Sequence, residues 1–281
     1  MSIQMAELHY TTPPSYDPAV IAARAEELLE SDIETVTPDS GSGTFLLIHK
    51  KHNIQREEGV VSPQTAILST DKQTDPATYA AIIAQSWACN DAAARIESSK
   101  RSLLITEMLA EGLADSLEPA ERIRLFHGVL QAFVEITQPN AIVFKHSQQV
   151  AYPLAYLDSC EKDPIDRLGS LNVRFFSISN SETNDMLMDT RGLDEIGLHD
   201  LQVHFRDLDP NDVSKLLFST AKYIFENGPV DGSGQTVAGT VPDSEWSCQF
   251  EDALVEPKRN ILDLNPGPIY AAGNRETTRL E

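Results

Sequence analysis

The stretch DTRGLDEIGLHDLQVHFRDLDPNDVSKLLFSTAKYIFENG, Asp189–Gly228, constrains the fold more than any other part of this 281-residue chain. It reads as a strand, two glycine turns, a second strand at Leu201–Phe205 and then a helix. Gly192 and Gly197 supply backbone positions with φ > 0, which a β-carbon would oppose. Asp209-Pro210 starts the helix with a capping carboxylate, followed by a proline whose missing N–H costs nothing there. Val213, Leu216, Leu217, Ile224 and Phe225 fall on one helical face, and Asn227-Gly228 closes the helix.

The rest of the chain repeats this style. Thr44–His49 and Thr65–Thr70 are short apolar strands, and Thr74-Asp75-Pro76 starts a helix. Tyr79, Ile82, Ile83 and Trp87 recur at helical spacing and predict a buried face. Ser102–Met108 is a strand. Glu118-Pro119 opens a long helix whose stripe is Ile123, Phe126, Val129, Leu130, Phe133 and Val134. Ala141–Lys145 is a strand, and Asn172–Ser179 with Asp185–Asp189 forms a hairpin around Asn180–Asn184. Glu245–Phe250 reads as the last strand. Strands and helices are segregated rather than strictly alternating, which predicts an α+β fold. The expected form is two related units, each a mostly antiparallel sheet covered on one face by helices. The expected divisions are an N-terminal arm and linker (1–43), a first unit (44–157), a linker (158–170), a second unit (171–262) and a polar tail (263–281). Asp158–Ser170 is polar, proline-bearing and glycine-terminated, as boundaries are.

Charge narrows the class of function. There are 43 Asp and Glu against 22 Lys and Arg, a formal net charge of −21. Such a surface repels phosphate backbones and anionic lipid heads, so neither nucleic acid nor membrane is an expected partner. Solubility alone accounts for such a charge, and the sharper reading is a docking face for a basic protein partner. Cys89, Cys160 and Cys248 are odd in number and widely spaced, which gives neither a disulfide framework nor a zinc knuckle. The N-terminus carries no signal-peptide pattern and no run reaches the ~18–20 apolar residues of a membrane span, so a cytoplasmic location is expected.

No strong catalytic constellation is present. Gly41-Ser42-Gly43 and Asp231–Gly234 lack the strand-to-helix context and lysine of a phosphate loop, and no G-x-S-x-G elbow occurs. His49 and His52 sit at a strand exit with their side chains on opposite faces, which disfavours joint metal binding. No metal and no cofactor are expected. On an extended segment Asp200, Gln202 and His204 share a face, so an Asp–His pair there could orient an imidazole. Asp189 and Arg191 bracket the first glycine turn; a guanidinium beside a carboxylate more often pins a loop than recognises a substrate. His146 with Ser147-Gln148-Gln149 is expected to be an exposed polar strand end. The catalytic candidates are therefore His146, Asp189, Arg191 and His204, in a site between the two units. Gly192, Gly197, Asp200, Asp209 and Gly228 are read as structural turn residues. Trp87 with Tyr79, and Trp246 with Phe250, are read as core aromatic pairs.

At Met188–Phe205, MDTRGLDEIGLHDLQVHF, the chain resembles the bacterial Domain of Unknown Function family 4261. The resemblance rests on Gly192, Leu193, Gly197, Leu198, Asp200 and Leu201, followed by the helix ending at Gly228. A Trp-containing helix at Trp87 and the polar segment His146–Pro153 are compatible with it, over about Thr44–Asp252. It implies an α+β protein, and some relatives of that family are loosely associated with toxin–immunity loci. The functional expectation is a non-catalytic acidic binding protein, of immunity or inhibitor type, that acts by surface complementarity. The alternative is an enzyme using His146, Asp189, Arg191 and His204.

Overall fold

The computed structural model describes residues 3–37, 44–57, 59–70, 75–110, 113, 116–178, 184–230 and 234–273. Thr74, the tip around Asn180 and both glycine-serine segments named above lie wholly or mostly outside these residues. The chain divides into two compact units, Met1–Asn172 with Glu195–Gly197, and Val173–Asp194 with Leu198–Glu281.

The first unit begins with strand β1 (Met5–Tyr10), helix α1 (Pro18–Leu29), and strands β2 (Ile33–Val36) and β3 (Phe45–His49). A small hairpin of β4 (Ile54–Arg56) and β5 (Gly59–Val61) precedes β6 (Gln64–Thr70). Short helices α2 (Ala80–Ala84) and α3 (Ala92–Glu97) lead to β7 (Arg101–Met108) and the long helix α4 (Pro119–Thr137). Strands β8 (Ala141–Phe144) and β9 (Gln149–Ala151) and helix α5 (Pro153–Ser159) complete it. Seven strands form one sheet in the order β2-β3-β6-β7-β1-β8-β9, with antiparallel pairings throughout.

This sheet corrects the reading of residues 1–43 as a peripheral arm, because β1 lies inside it between β7 and β8. Ala6, Leu8 and Tyr10 join the core under α1 and α4. The alternating Glu7 and His9 face the other way, and both are buried. Distant partners offset the burial of Glu7: the Tyr79 hydroxyl donates to Glu7 Oε2 (2.6 Å) and Lys145 Nζ lies 3.3 Å from the same oxygen. The first sheet is also covered on both faces, not one. Ile21, Ala25 and Leu29 of α1 and Phe126, Val129 and Phe133 of α4 pack on one face. Tyr79, Cys89, Ala92 and Ile96 pack with Ala141, Val143 and Val150 on the other. Helices α1 and α4 approach closely because position 128 has no side chain; a β-carbon there would come within 2.5 Å of Leu29.

Two further expectations fail here. Trp87 is 64% exposed, because α2 stops at Ala84 and the helical spacing does not continue to it. Residues 158–170 are part of the first unit rather than a linker. Their polar groups have internal partners: Leu168 N–H donates to Ser159 Oγ (3.0 Å), and Gly169 N–H to Gln149 Oε1 (2.9 Å). Ser170 Oγ lies 3.2 Å from His127 Nε2.

The second unit contains β10 (Asn172–Ser177), β11 (Met186–Arg191), β12 (Leu201–Phe205), helix α6 (Pro210–Asn227), β13 (Thr236–Ala238), β14 (Glu245–Asp252) and β15 (Asn260–Asn265). The sheet order is β10-β11-β12-β15-β14-β13. Strand β15 was not foreseen: it enters between β12 and β14, parallel to the first and antiparallel to the second. The polar tail expected from residue 263 therefore starts inside a strand, and Asp263 is fully buried. The two sheets differ in connectivity and in helical cover. Helix α6 packs on β11 and β12 through Val213, Leu217, Thr220, Ala221 and Ile224. Asp209 Oδ1 accepts from Asn211 N–H (2.9 Å) at its start, and Gly228 (φ 92°) follows its last turn. No helix among the described residues is long and apolar enough to cross a membrane.

Leu217→Ala removes a fully buried side chain. It should cost about 2–5 kcal/mol, through lost transfer energy and a cavity. Asp209→Ala removes only the cap and should cost about 0.5–2 kcal/mol. Urea denaturation of both variants checks the order, and a milder Leu217→Ala would place the helix face wrongly.

Burial holds His9 and His49 down at about 4. The unfolded chain binds their protons first, from about pH 6.5 downward, so each contributes stability that is full above pH 6.5 and falls away toward pH 4. The loss is about 1.4 kcal/mol per pH unit per histidine inside that window. Unfolding midpoints should drop between pH 7 and 5, before most carboxylates titrate. His49→Gln, which keeps a partner for Thr65, should flatten the drop; a midpoint unchanged over that range would contradict the assignment.

Candidate functional site

The densest chemistry in the second unit lies where β11 ends and β12 begins. Strand alternation places Asp189 and Arg191 on one face of β11 and Thr190 on the other. Gly192 (φ 128°) turns the chain, a single helical turn spans Asp194–Ile196, and Gly197 (φ 86°) turns it back toward Asp200. Leu193 N–H and the Thr190 hydroxyl donate to Asp200 Oδ1 at 3.2 and 3.1 Å. Leu201 N–H in turn donates to Thr190 Oγ1 at 2.8 Å.

Three arginines meet the two aspartates. Arg174, from β10, binds Asp189 bidentately through Nε (2.8 Å) and Nη2. Arg259, just before β15, reaches both carboxylates: Nε to Asp200 Oδ2 and Nη2 to Asp189 Oδ2, each at 2.9 Å. Its Nη2 also donates to Thr190 O (2.9 Å). Arg191 Nη1 lies 3.2 Å from Asp200 Oδ2. Asp189 and Asp200 are fully buried, and the three arginine side chains are 3–5% exposed. Burial pushes the Asp200 carboxyl up from its ordinary range, against the pull of Arg191 and Arg259, while neighbouring Asp189 adds to the rise. Burial opposes the charge on Arg259, but Asp200 and Asp189 outweigh it and raise its pKa.

The same arginines hold the loop between β14 and β15. Arg174 Nη1 donates to Glu256 O (2.9 Å), and Arg259 Nη1 to Pro257 O (3.0 Å). Gln202 completes the arrangement, accepting from Leu254 N–H (2.9 Å) and donating to Asp263 Oδ1 (3.2 Å). Bidentate and charge-assisted bonds of this kind fix geometry strongly. They also occupy the oxygens that a general base would need, since a base must reach the proton it abstracts.

The four catalytic candidates do not form one constellation in the described contacts. His146 belongs to the first unit, where Met5 N–H donates to its Nδ1 (3.0 Å) and Phe126 packs edge-on. Asp189 and Arg191 enter the same network, but each is paired with other residues rather than with its neighbour in sequence. His204 stands beyond Gln202 on β12; Gly273 packs on its ring so tightly that a β-carbon would lie 2.8 Å from Cε1. His49 and His52 have separate partners, Thr65 (3.0 Å) and Glu121 (2.8 Å). Ser147 and Gln149 are buried, not an exposed strand end, because the β8–β9 hairpin folds back immediately. Trp246 is buried, whereas Phe250 is 37% exposed and packs against His199. Among the described residues no group of three His, Cys, Asp or Glu is placed to hold a metal ion. Sequence reasoning missed Arg174 and Arg259. Arg174 had a usable signal, a charge inside the otherwise apolar strand NVRFFS, where burial demands a partner.

The site coincides with a recognised segment. Residues 189–265 match the family described as Domain of unknown function (DUF4261). The DUF4261 segment runs from the first aspartate of the network to the end of β15. It includes Asp189, Arg191, Asp200 and Arg259, and excludes only Arg174 of the five. No curated protein and no solved structure matches the chain.

Asp200→Ala would leave two buried guanidiniums short of an acceptor and should cost about 3–5 kcal/mol. Asp212→Ala, which breaks an exposed pair with Lys215, should leave the unfolding midpoint nearly unchanged. Guanidinium chloride denaturation distinguishes them, and equal effects would remove the network from the list of stabilising features.

Proposed function

We propose that this is a non-catalytic acidic binding protein, of immunity or inhibitor type, that acts by surface complementarity to a basic protein partner. The observation that carries this reading is the placement of charge. Among the described residues only six acidic side chains (Glu7, Glu107, Asp189, Glu195, Asp200, Asp263) and four basic ones (Arg122, Arg174, Arg191, Arg259) are buried, too few to absorb an excess of 21. The groups best suited to chemistry, Asp189 and Asp200, are enclosed by arginines.

One acidic run adds support. Glu26, Glu27, Glu30, Asp32 and Glu34 follow one another at the end of α1 and into β2, and all but the half-buried Glu26 are exposed. Carboxylates at a helix C-terminus face the negative end of its dipole, and α1 has no basic residue in its last turn. Glu26 accepts from Ile33 N–H, Glu27 pairs with Arg24 and Glu34 with Lys50, so the opposition to the dipole rests on Glu30.

The test is affinity capture of partners from the native source at ~0.01 M and ~0.15 M salt, over which the Debye length falls from ~30 Å to ~8 Å. A captured basic protein should then bind the purified chain with an association rate that drops with salt. Glu30→Lys with Asp32→Lys should slow association further while keeping or raising the melting temperature. Unchanged association in that double variant, or capture of no protein at either salt, would overturn the reading.

A further inference from the structure

The first unit carries a polar cavity of about 370 Å³ at the end of its sheet, where β1 leaves Tyr10, α4 ends at Thr137 and β8 begins after Asn140. It is lined by Thr11, Thr12, Ser15, Thr137, Asn140 and Arg95, with prolines between them. The volume is in the range of small-molecule sites. The lining differs from most such sites in being hydroxyls and amides around one cation.

That cation is held in place before any ligand arrives. Asp91 Oδ1 accepts from Arg95 Nε (2.9 Å), and the Asn140 carbonyl accepts from Nη1 (2.8 Å). Asn140 Nδ2 donates back to Arg95 O (2.8 Å), so the two residues lock each other. The guanidinium lies over the Tyr152 ring, 4.6 Å from its centroid. The Tyr152 hydroxyl, and then Arg95, hold the Asp91 carboxyl below its usual range, which keeps the bracket ionised. Two of the three guanidinium nitrogens are thus committed, and among the described residues Nη2 has no acceptor. A planar guanidinium fixed by stacking and by two acceptors presents its remaining donor in one direction, the arrangement that recognises a carboxylate or phosphate oxygen. Around it, Thr137 Oγ1 donates to Phe133 O (2.6 Å) and so must accept from the Tyr10 hydroxyl (2.7 Å). The hydroxyls of Thr11, Thr12 and Ser15 can both donate and accept.

We infer that this cavity is a binding site for a small hydroxylated anion, whose charged group meets Arg95 Nη2 and whose hydroxyls meet Thr11, Thr12 and Ser15. Phosphate and carboxylate are two sources of that charge. Calorimetric titration of the full chain with glucose 6-phosphate and with glucuronate separates them, and glucose and inorganic phosphate serve as controls for each half of the ligand.

Saturable binding of at least one of the two anions, tighter than both controls, is expected. Arg95→Gln should weaken it by about tenfold or more. Thr12→Val and Ser15→Ala, at exposed loop positions, should each weaken it by about threefold. These two variants also carry the test should Arg95→Gln fail to fold. Absence of saturable binding by the wild-type chain overturns the inference. So does binding that survives Arg95→Gln unchanged, or survives both loop variants unchanged, or binding of glucose or phosphate as tight as that of the combined ligand.

Discussion

Arg259 holds the second unit together by donating to Asp189 and Asp200 at once. Asp189 is the pairing partner of Gln202 across β11 and β12, and Asp200 stands just before β12. A single guanidinium therefore ties one strand, the turn that follows it and the entry to β15. The desolvation of five buried charges is costly. It is offset only because nearly every polar atom has a short partner: Arg174 closes the free side of Asp189, and Leu193 N–H and Thr190 close that of Asp200. Such a network contributes little net stability compared with a packed apolar core of the same volume. Its effect is on geometry, because any one loss leaves the others unpaired at low dielectric.

That constraint explains why the segment 189–265 ends where it does. A unit cut at Asp252, after β14, would strand Asp189 and Asp200 with too few donors. It would also leave β12 and β14 without β15, the strand between them. The polar face of β12 has the same dependence, since Gln202 spans from Asp263 on β15 to Leu254 in the loop. Recognition at the glycine turns thus captures one end of a cluster whose other end is more than fifty residues away.

Legibility followed the range of the interaction. Helix α6, its cap at Asp209 and its closing Gly228 could be read because caps, glycine and 3-4 spacing are local. The α4 stripe and the strands Leu201–Phe205 and Ala141–Phe144 were legible for the same reason. Strand β1 was not, because Glu7 is buried against Tyr79 and Lys145, and nothing near MAELHY announces those partners. Strand β15 failed similarly: NILDLN includes Asp263, a charge that belongs in a core only once Gln202 is opposite it. At the site, Asp189, Arg191 and Asp200 were visible as a polar group at a turn. Their pairing was not, since Arg174 and Arg259 come from fifteen residues before Asp189 and seventy after it. Trp87 shows the converse error, where helical spacing was extended three residues past the helix that justified it.

The same reasoning separates the two kinds of charge in this chain. Two sets of buried charges are closely paired: Glu107 with Arg122 in the first unit, and two aspartates with three arginines in the second. Folding enforces that pairing, because an unmatched ion in the interior costs several kcal/mol. No comparable demand acts on the surface, where an isolated carboxylate is solvated and nearly neutral for stability. The excess of 21 negative charges is therefore not set by the core. It weakens the compact state through self-repulsion. Glu30 compounds this, since it stands at the negative end of the α1 dipole in a left-handed conformation that glycine would serve better. A surface that acts against its own fold in this way is understandable if its field is directed at something else, and a basic protein is the partner for which such a field speeds encounter.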